Sequence, residues 1–317
     1  MSDLYAGGEL LAEVVRSGVV ESRHHGSVVV LDADGEVAAW AGDVLGAIFP
    51  RSSAKPLQAV GMLRAGLVAT DAELALVAAS HRGQPVHLSA VRRMLEESGI
   101  PAEALGCPPD YPLSEDARDA VVRAGHGREP LFMTCSGKHA GMLRTAKANG
   151  WPLPTYLDPD HPLQRQLAAT IEELTGEPVR ATGVDGCGAP LLAFSLRGLA
   201  GAFLRLVSAP DGSRERAVAD AMRAHPVLVS GDDPAEDDTR LMRAVPGLLL
   251  KLGFEGVAAA ALPGVGAVAL KIDDGGIRAR LPVLASAMAR LGVALPGRVE
   301  VPVLGGGREV GVVRSVW

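Results

Sequence analysis

Aromatic residues are scarce in this chain of 317 residues: three Trp, three Tyr and five Phe, 3% of the total. The core therefore has to be built from Leu, Val and Ala. The few aromatics are also not interleaved with a Lys/Arg stripe, so a nucleic-acid partner is not expected. Cysteine is scarce too. Cys107, Cys135 and Cys187 are too few, and odd in number, for a disulfide framework. Long uninterrupted apolar runs are missing. The most apolar stretch, Val245 to Ile272, carries Lys251, Glu255, five Gly and two Pro, which a membrane-spanning helix would not hold. Residues 1–20 have early acidic residues and no basic-then-apolar pattern, so no signal peptide is read there. With a net charge of -6 and a pI near 5.8, these absences lead to the expectation of a reduced, cytoplasmic protein with no nucleic-acid or membrane partner.

What is present is ordinary globular material, 48% hydrophobic and 21% charged, enough for one large core or two modest ones. Ser27 to Leu31 and Val37 to Trp40 flank Asp32-Ala-Asp-Gly35 and read as a β-hairpin. Ala267 to Ile272 and Ile277 to Arg280, around Asp273-Asp-Gly-Gly276, read as a second one, and Val310 to Val316 as a last strand.

Between the ends the apolar period becomes helical, over Ala54–Ala65, Asp71–Ala79, Ser89–Ser98, Glu115–Ala124, Lys138–Asn149, Leu163–Leu174, Arg214–Ala224 and Thr239–Leu252. Pro282–Leu291 follows the second hairpin, and Asp71, Gly150 and Gly176 read as helix ends. The fold class expected is α+β, with an antiparallel sheet built by both chain ends around a helical middle. In domain terms this is a single two-lobed unit over 1–317, its sheet lobe from roughly 1–60 and 250–317 and its helical lobe over roughly 61–249. Gly305-Gly-Gly307 has no helix pattern or acidic partner after it, which removes a dinucleotide-binding reading.

Four clusters concentrate reactive groups. In Arg51-Ser-Ser-Ala-Lys-Pro56, Ser52 and Lys55 stand three apart at a helix start, which puts hydroxyl and amine on one face of the first turn. A lysine amine there can take the seryl proton, and the helix N-terminus favours developing negative charge. Ser53 offers the other register, but Pro56 at its third following position has no amine. Ser80 and His81 close a helix rich in Ala and Leu. Thr134-Cys-Ser-Gly-Lys-His139 packs thiol, hydroxyl, amine and imidazole around a Gly. Gly183-Val-Asp-Gly-Cys-Gly-Ala-Pro190 displays Asp185 and Cys187 on a tight loop. Each cluster also has a bland reading as a cap, a polar loop start or a buried thiol. Lys251 and Lys271 sit in apolar company, where a lysine either snorkels to water or is desolvated into a better base.

These pieces in this order resemble the bacterial asparaginase II family. The resemblance rests on Arg51 to Pro56, Ala79-Ser-His81, Cys135-Ser-Gly-Lys-His-Ala-Gly-Met142, Asp160-His-Pro162, Thr182 to Cys187 and Lys251-Leu-Gly-Phe-Glu-Gly256. It implies a fold similar to serine β-lactamases and serine-type glutaminases. It also implies hydrolysis of L-asparagine to L-aspartate and ammonia by a homodimer. Ser52 would be the nucleophile and Lys55 its base, with Ser80 and Lys251 as a second Ser–Lys pair. Arg51, His81, Lys138, His139 and Asp185 would orient substrate, Arg51 and Asp185 by gripping its α-carboxylate and α-ammonium. Cys135, Lys138 and Cys187 would hold zinc. Gln84 and Phe254 stand where the family tends to have an acidic and a small residue. Three other readings stay open: a penicillin-binding or β-lactamase-like relative, which would lack a Lys-Thr-Gly strand here, a glutaminase, and a non-catalytic amino-acid-binding protein.

Overall fold

The structure, a computed structural model, describes residues 4–317. Its strands are β1 (Glu9–Arg16), β2 (Val19–Asp32), β3 (Val37–Ala41), β4 (Ala47–Ile48), β5 (Ala181–Val184), β6 (Pro190–Ser195), β7 (Leu249–Leu252), β8 (Val257–Leu262), β9 (Gly266–Ile272), β10 (Val301–Gly305) and β11 (Arg308–Ser315). The helices are α1 (Lys55–Arg64), α2 (Asp71–Val77), α3 (Pro85–Glu97), α4 (Glu115–Arg123), α5 (Ser136–Ala148), α6 (Pro162–Thr175), α7 (Leu196–Ser208), α8 (Arg214–Ala224), α9 (Pro226–Val229), α10 (Asp237–Ala244) and α11 (Arg280–Arg290).

The fold is α+β, and both chain ends do build one antiparallel sheet, in the order β10-β11-β1-β2-β9-β8-β7. The long β2 organises it. One side of β2 pairs first with β1 (Val19 to Gly26) and then with β3 (Val28 to Leu31), while the other side carries β9. Val28, Val29 and Val30 have no exposed surface, so the strand is buried on both faces at its centre. A second, three-stranded sheet, β4-β6-β5, interrupts the helical middle and was not expected.

Three sequence expectations change. Thr239–Leu252 is not one helix. Pro246 cannot continue the ladder and Gly247 turns with φ 84°, so α10 ends at Ala244 and Leu249–Leu252 becomes the edge strand β7. Lys251 therefore sits on a strand. Ile277–Arg280 does not return as a strand, because β9 already has β8 on one side and β2 on the other; the segment is a 3₁₀ turn leading into α11. Thr70, not Asp71, caps α2, with a capping box closed by Glu73. Gly176 ends α6 in the left-handed conformation as expected, with φ 76°.

Two elements of the core were not expected. α7 is amphipathic: Leu196, Leu199, Phe203, Leu206 and Val207 are buried, while Arg197 and Arg205 stand exposed on its outer face. β8 reads Val-Ala-Ala-Ala-Ala-Leu, a helix-forming composition, yet all six residues are buried between β7 and β9. Tertiary pairing overrides propensity there. Among the described residues, no helix is long and apolar enough to cross a membrane.

Candidate active site

The chain enters the site from β4 through Pro50. Arg51 is then held at φ 52°, an unfavourable left-handed conformation for a side chain of its size. A 3₁₀ turn, Arg51–Ala54, feeds α1, and the Lys55 N–H bonds the Ser52 carbonyl, placing both residues on one turn. Ser52 is 4% exposed and Lys55 2%. The Ser53 hydroxyl donates to the Lys251 carbonyl at 3.0 Å, so this serine fastens α1 to β7.

Lys55 Nζ donates to the Ala79 carbonyl at 2.5 Å and to Ser80 Oγ at 3.0 Å. Ser80 lies just beyond α2, and its segment is fixed by backbone bonds from Ser80 to Val229 and from Arg82 to Ser230. The structure thus pairs Ser80 with Lys55. Lys251, 1% exposed, points its amine at Asp238 Oδ2, 3.5 Å away, and at the Leu252 carbonyl, 2.9 Å away. Ser80 and Lys251 nevertheless line one small cavity. Burial lowers the Lys251 pKa, against the pull of Asp238, and the nearby Lys55 lowers it further. Lys271 lines a different cavity with Arg51 and Glu255, its amine on the Glu255 and Ile272 carbonyls. Of the two candidate lysines, Lys251 is the one beside Ser80.

His81 is fully buried, its Nδ1 accepts the Gly83 N–H at 3.1 Å, and its Nε2 is 2.9 Å from Ser136 Oγ. With both nitrogens engaged and His87 stacked on its ring at 5.2 Å, it braces the start of α5. Arg51 and Asp185, expected to grip opposite ends of a substrate, bond each other at 2.9 Å, and Phe254 lies 5.9 Å from the guanidinium.

Asp185 and Cys187 sit at the tip of the β5–β6 hairpin, tightened by Gly188 at φ 84°. This tip meets the start of α5. The metal-ligating atoms of Cys135, Asp185 and Cys187 all lie within 4.8 Å of one another, and Lys138 Nζ is 3.1 Å from Cys187 Sγ. The hydrogen bond from Cys187, then the charges of Lys55 and Lys138, bring the Cys135 pKa down to about 5, and its partner is pushed up to about 11 by the same bond and by burial. Burial disfavours the Lys138 charge, but Cys187, Cys135 and Asp185 outweigh it and keep the amine protonated above its ordinary range. His139 is also buried. Its Nδ1 is 2.6 Å from Tyr156 Oη, and its Nε2 has no hydrogen-bond partner. Two soft thiols with a carboxylate alongside fit a zinc ion, provided that Lys138 gives up its proton to act as a further ligand.

Several participants carried no signal in the sequence. Asp238, Tyr156 and Arg280 belong to none of the motifs, and Thr134 opens one of them without a role of its own there. Only the fold brings them to Ser80 and Cys187.

The buried Lys55 amine set against the Ser80 hydroxyl places an amine and a hydroxyl within proton-transfer distance in this α+β chain. The chain belongs to the L-asparaginase II family, whose model matches residues 12–314. No curated protein matches it. Among solved structures it is similar to Mglu in its tris and glutamate form, with 15% identity over 90% of this chain and a TM-score of 0.42. The chain spans 61% of that protein. It is also similar to a candidate β-lactamase from Bacteroides dorei DSM 17855, with 13% identity over 92% of this chain and 95% of that one, and a TM-score of 0.44.

Proposed function

We propose that the protein hydrolyses the side-chain amide of L-asparagine to L-aspartate and ammonia through a seryl acyl-enzyme. The observation that carries this reading is the buried Lys55 amine, 3.0 Å from the Ser80 hydroxyl and one turn from Ser52, in a chain of the L-asparaginase II family.

In this mechanism the Ser52 hydroxyl attacks the amide carbonyl as its proton passes to Lys55. Lys55 relays that proton through Ser80 towards the leaving nitrogen, and Lys251 completes the path on the far side of Ser80. Ammonia departs and water then hydrolyses the ester, returning the proton by the same route. Backbone N–H groups at the start of α1 face the oxyanion, an effect typically worth about 3–4 kcal/mol. Cys135, Cys187 and Lys138, with Asp185 in reach, would hold zinc. When bound, the ion would supply a fixed positive charge that ties the α5 start to the β5–β6 hairpin. The architecture, a sheet from both chain ends beside helices, is the one expected of serine β-lactamases and glutaminases. Their Lys-Thr-Gly strand has no counterpart in the sequence, where Lys271-Ile272-Asp273 is the nearest substitute; Lys251 and Leu252 end the edge strand β7 beside Ser53.

The test is ammonia release from L-asparagine and from L-glutamine by purified protein. Release from asparagine supports the reading, and folded protein silent on both amides refutes it.

A further inference from the structure

A cavity of about 110 Å³ opens beside Ser80 and Lys251, and Thr134 and Arg280 help to line it. The carboxylates around it are each taken. Glu236 holds Arg82 and accepts the Ser230 hydroxyl at 2.7 Å. Asp237 holds Arg240 at 2.8 Å. Asp238 faces Lys251 and accepts the Leu252 N–H at 3.0 Å.

Arg280 also lines the cavity. Among the described residues it has no carboxylate within salt-bridge distance, although Asp238, Asp237 and Glu236 lie near enough to favour its charge against burial. Its Nη1 donates to the Gly253 carbonyl at 2.6 Å, while its Nε is buried and makes no hydrogen bond. Thr134 Oγ1 is a second buried donor without a partner in the same cavity, on a residue 6% exposed. Buried polar groups are seldom left open, and two residues that line this cavity each carry one, Arg280 being also its cation; such a pair describes a place for an anion.

We propose that this cavity is a carboxylate subsite, with Arg280 and Thr134 as its donors, and that it takes the α-carboxylate of the substrate. This rests on the amidohydrolase reading above. The planar guanidinium matches a carboxylate in a way that an ammonium does not. Arg51 cannot take this role without leaving Asp185, whereas Arg280 gives up nothing. A consequence is selectivity. A free amino acid carries the carboxylate that the subsite needs, and an asparagine inside a peptide does not, so the enzyme acts on free asparagine.

The experiment combines calorimetric binding of L-aspartate, the inert product, with kinetics on L-asparagine and on 3-aminopropanamide, which keeps the amine and amide but lacks the carboxylate. Arg280→Gln should weaken L-aspartate binding and raise KM for asparagine by about 10- to 100-fold, the loss of a charge-assisted bond, with kcat within about threefold. Turnover of 3-aminopropanamide should fall by far less than turnover of asparagine at low concentration. Arg280→Lys should recover only part of the loss. Thr134→Val decides the matter if Arg280 variants do not fold. It should weaken aspartate binding by about 3- to 10-fold, since one neutral hydrogen bond is lost, with thermal stability kept because this hydroxyl has no protein partner.

Absence of aspartate binding to the wild type, or equal binding by wild type and folded variants, overturns the subsite. If ammonia release is normal in that case, the reaction stands without it. If no amide is hydrolysed but Arg280→Gln abolishes aspartate binding, the reaction falls and the carboxylate site stands.

Discussion

Replacing Lys55 by Met tests the centre of the site, because Met keeps the aliphatic stem and removes the amine. In the native protein that amine is 2% exposed and donates to the Ala79 carbonyl and the Ser80 hydroxyl. Its loss leaves the buried Ala79 carbonyl without its donor, at about 1–3 kcal/mol, and the half-buried Ser80 hydroxyl, at less. Replacing a buried polar amine by an apolar group returns part of this, so a net loss of about 1–4 kcal/mol is expected. Unfolding entropy of about 2 cal/mol/K per residue, applied to 317 residues, converts this to a fall in Tm of about 2–6 °C. Activity should suffer far more. A positioned general base is worth about 10²–10⁴-fold, so kcat/KM should fall by about that factor while the variant stays folded at assay temperature. The assays are ammonia release under steady-state conditions and a thermal melt on the same sample. A Lys55→Met protein within about threefold of wild-type kcat/KM would refute the assignment of Lys55 as the base. A much larger drop in Tm with the lost activity explained by unfolding would make Lys55 a strut of the core.

Four further outcomes follow from the same geometry. Ser52→Ala should abolish ammonia release with an unchanged melt, and near-native turnover would remove Ser52 as the nucleophile. Asp238→Asn keeps the acceptor for the Leu252 N–H but removes the charge that raises the Lys251 pKa, so the rise of kcat/KM with pH should move to lower pH. A pH–rate profile that does not move would show that Lys251 is not the group titrating. Cys135→Ser or Cys187→Ser should lower the zinc bound per chain after loading, read by elemental analysis, and full retention would show that the thiols are not ligands.

Glu73 has a pKa below its ordinary 4.5 because its bonds from Thr70 and the Arg144 charge outweigh burial. Its stabilisation is therefore present above pH 4.5 and is lost as pH falls through the lower folded value. Glu73→Gln should flatten that acid limb in stability measured against pH; an unchanged slope would refute it.

Much of the site was legible because its members are neighbours in sequence. Ser52 and Lys55 share a turn, and Cys135 and Lys138 share the start of α5, so helical spacing alone brings each pair together. The terminal strands were legible where apolar residues flank a turn, as in the β2–β3 hairpin. Reading failed at β8, where burial is complete and there is no polar face, and β7 was absorbed into a helical pattern across Pro246 and Gly247. α7 does carry a helical period, with Arg197 and Arg205 on its outer face, and was missed despite it. Periodicity reports the contrast between two faces, and a segment buried all round has none.

The sequence by itself determined the reactive groups, their local spacing and the α+β class, since these depend on short-range geometry and on composition. Tertiary structure alone decided the partners. It put Lys55 on Ser80, Lys251 on Asp238, Arg51 on Asp185 and Cys187 beside Cys135, and it left Arg280 and Thr134 open. These pairs join residues from distant segments. Their meeting depends on how strands and helices from across the chain pack into one core, which no local spacing encodes.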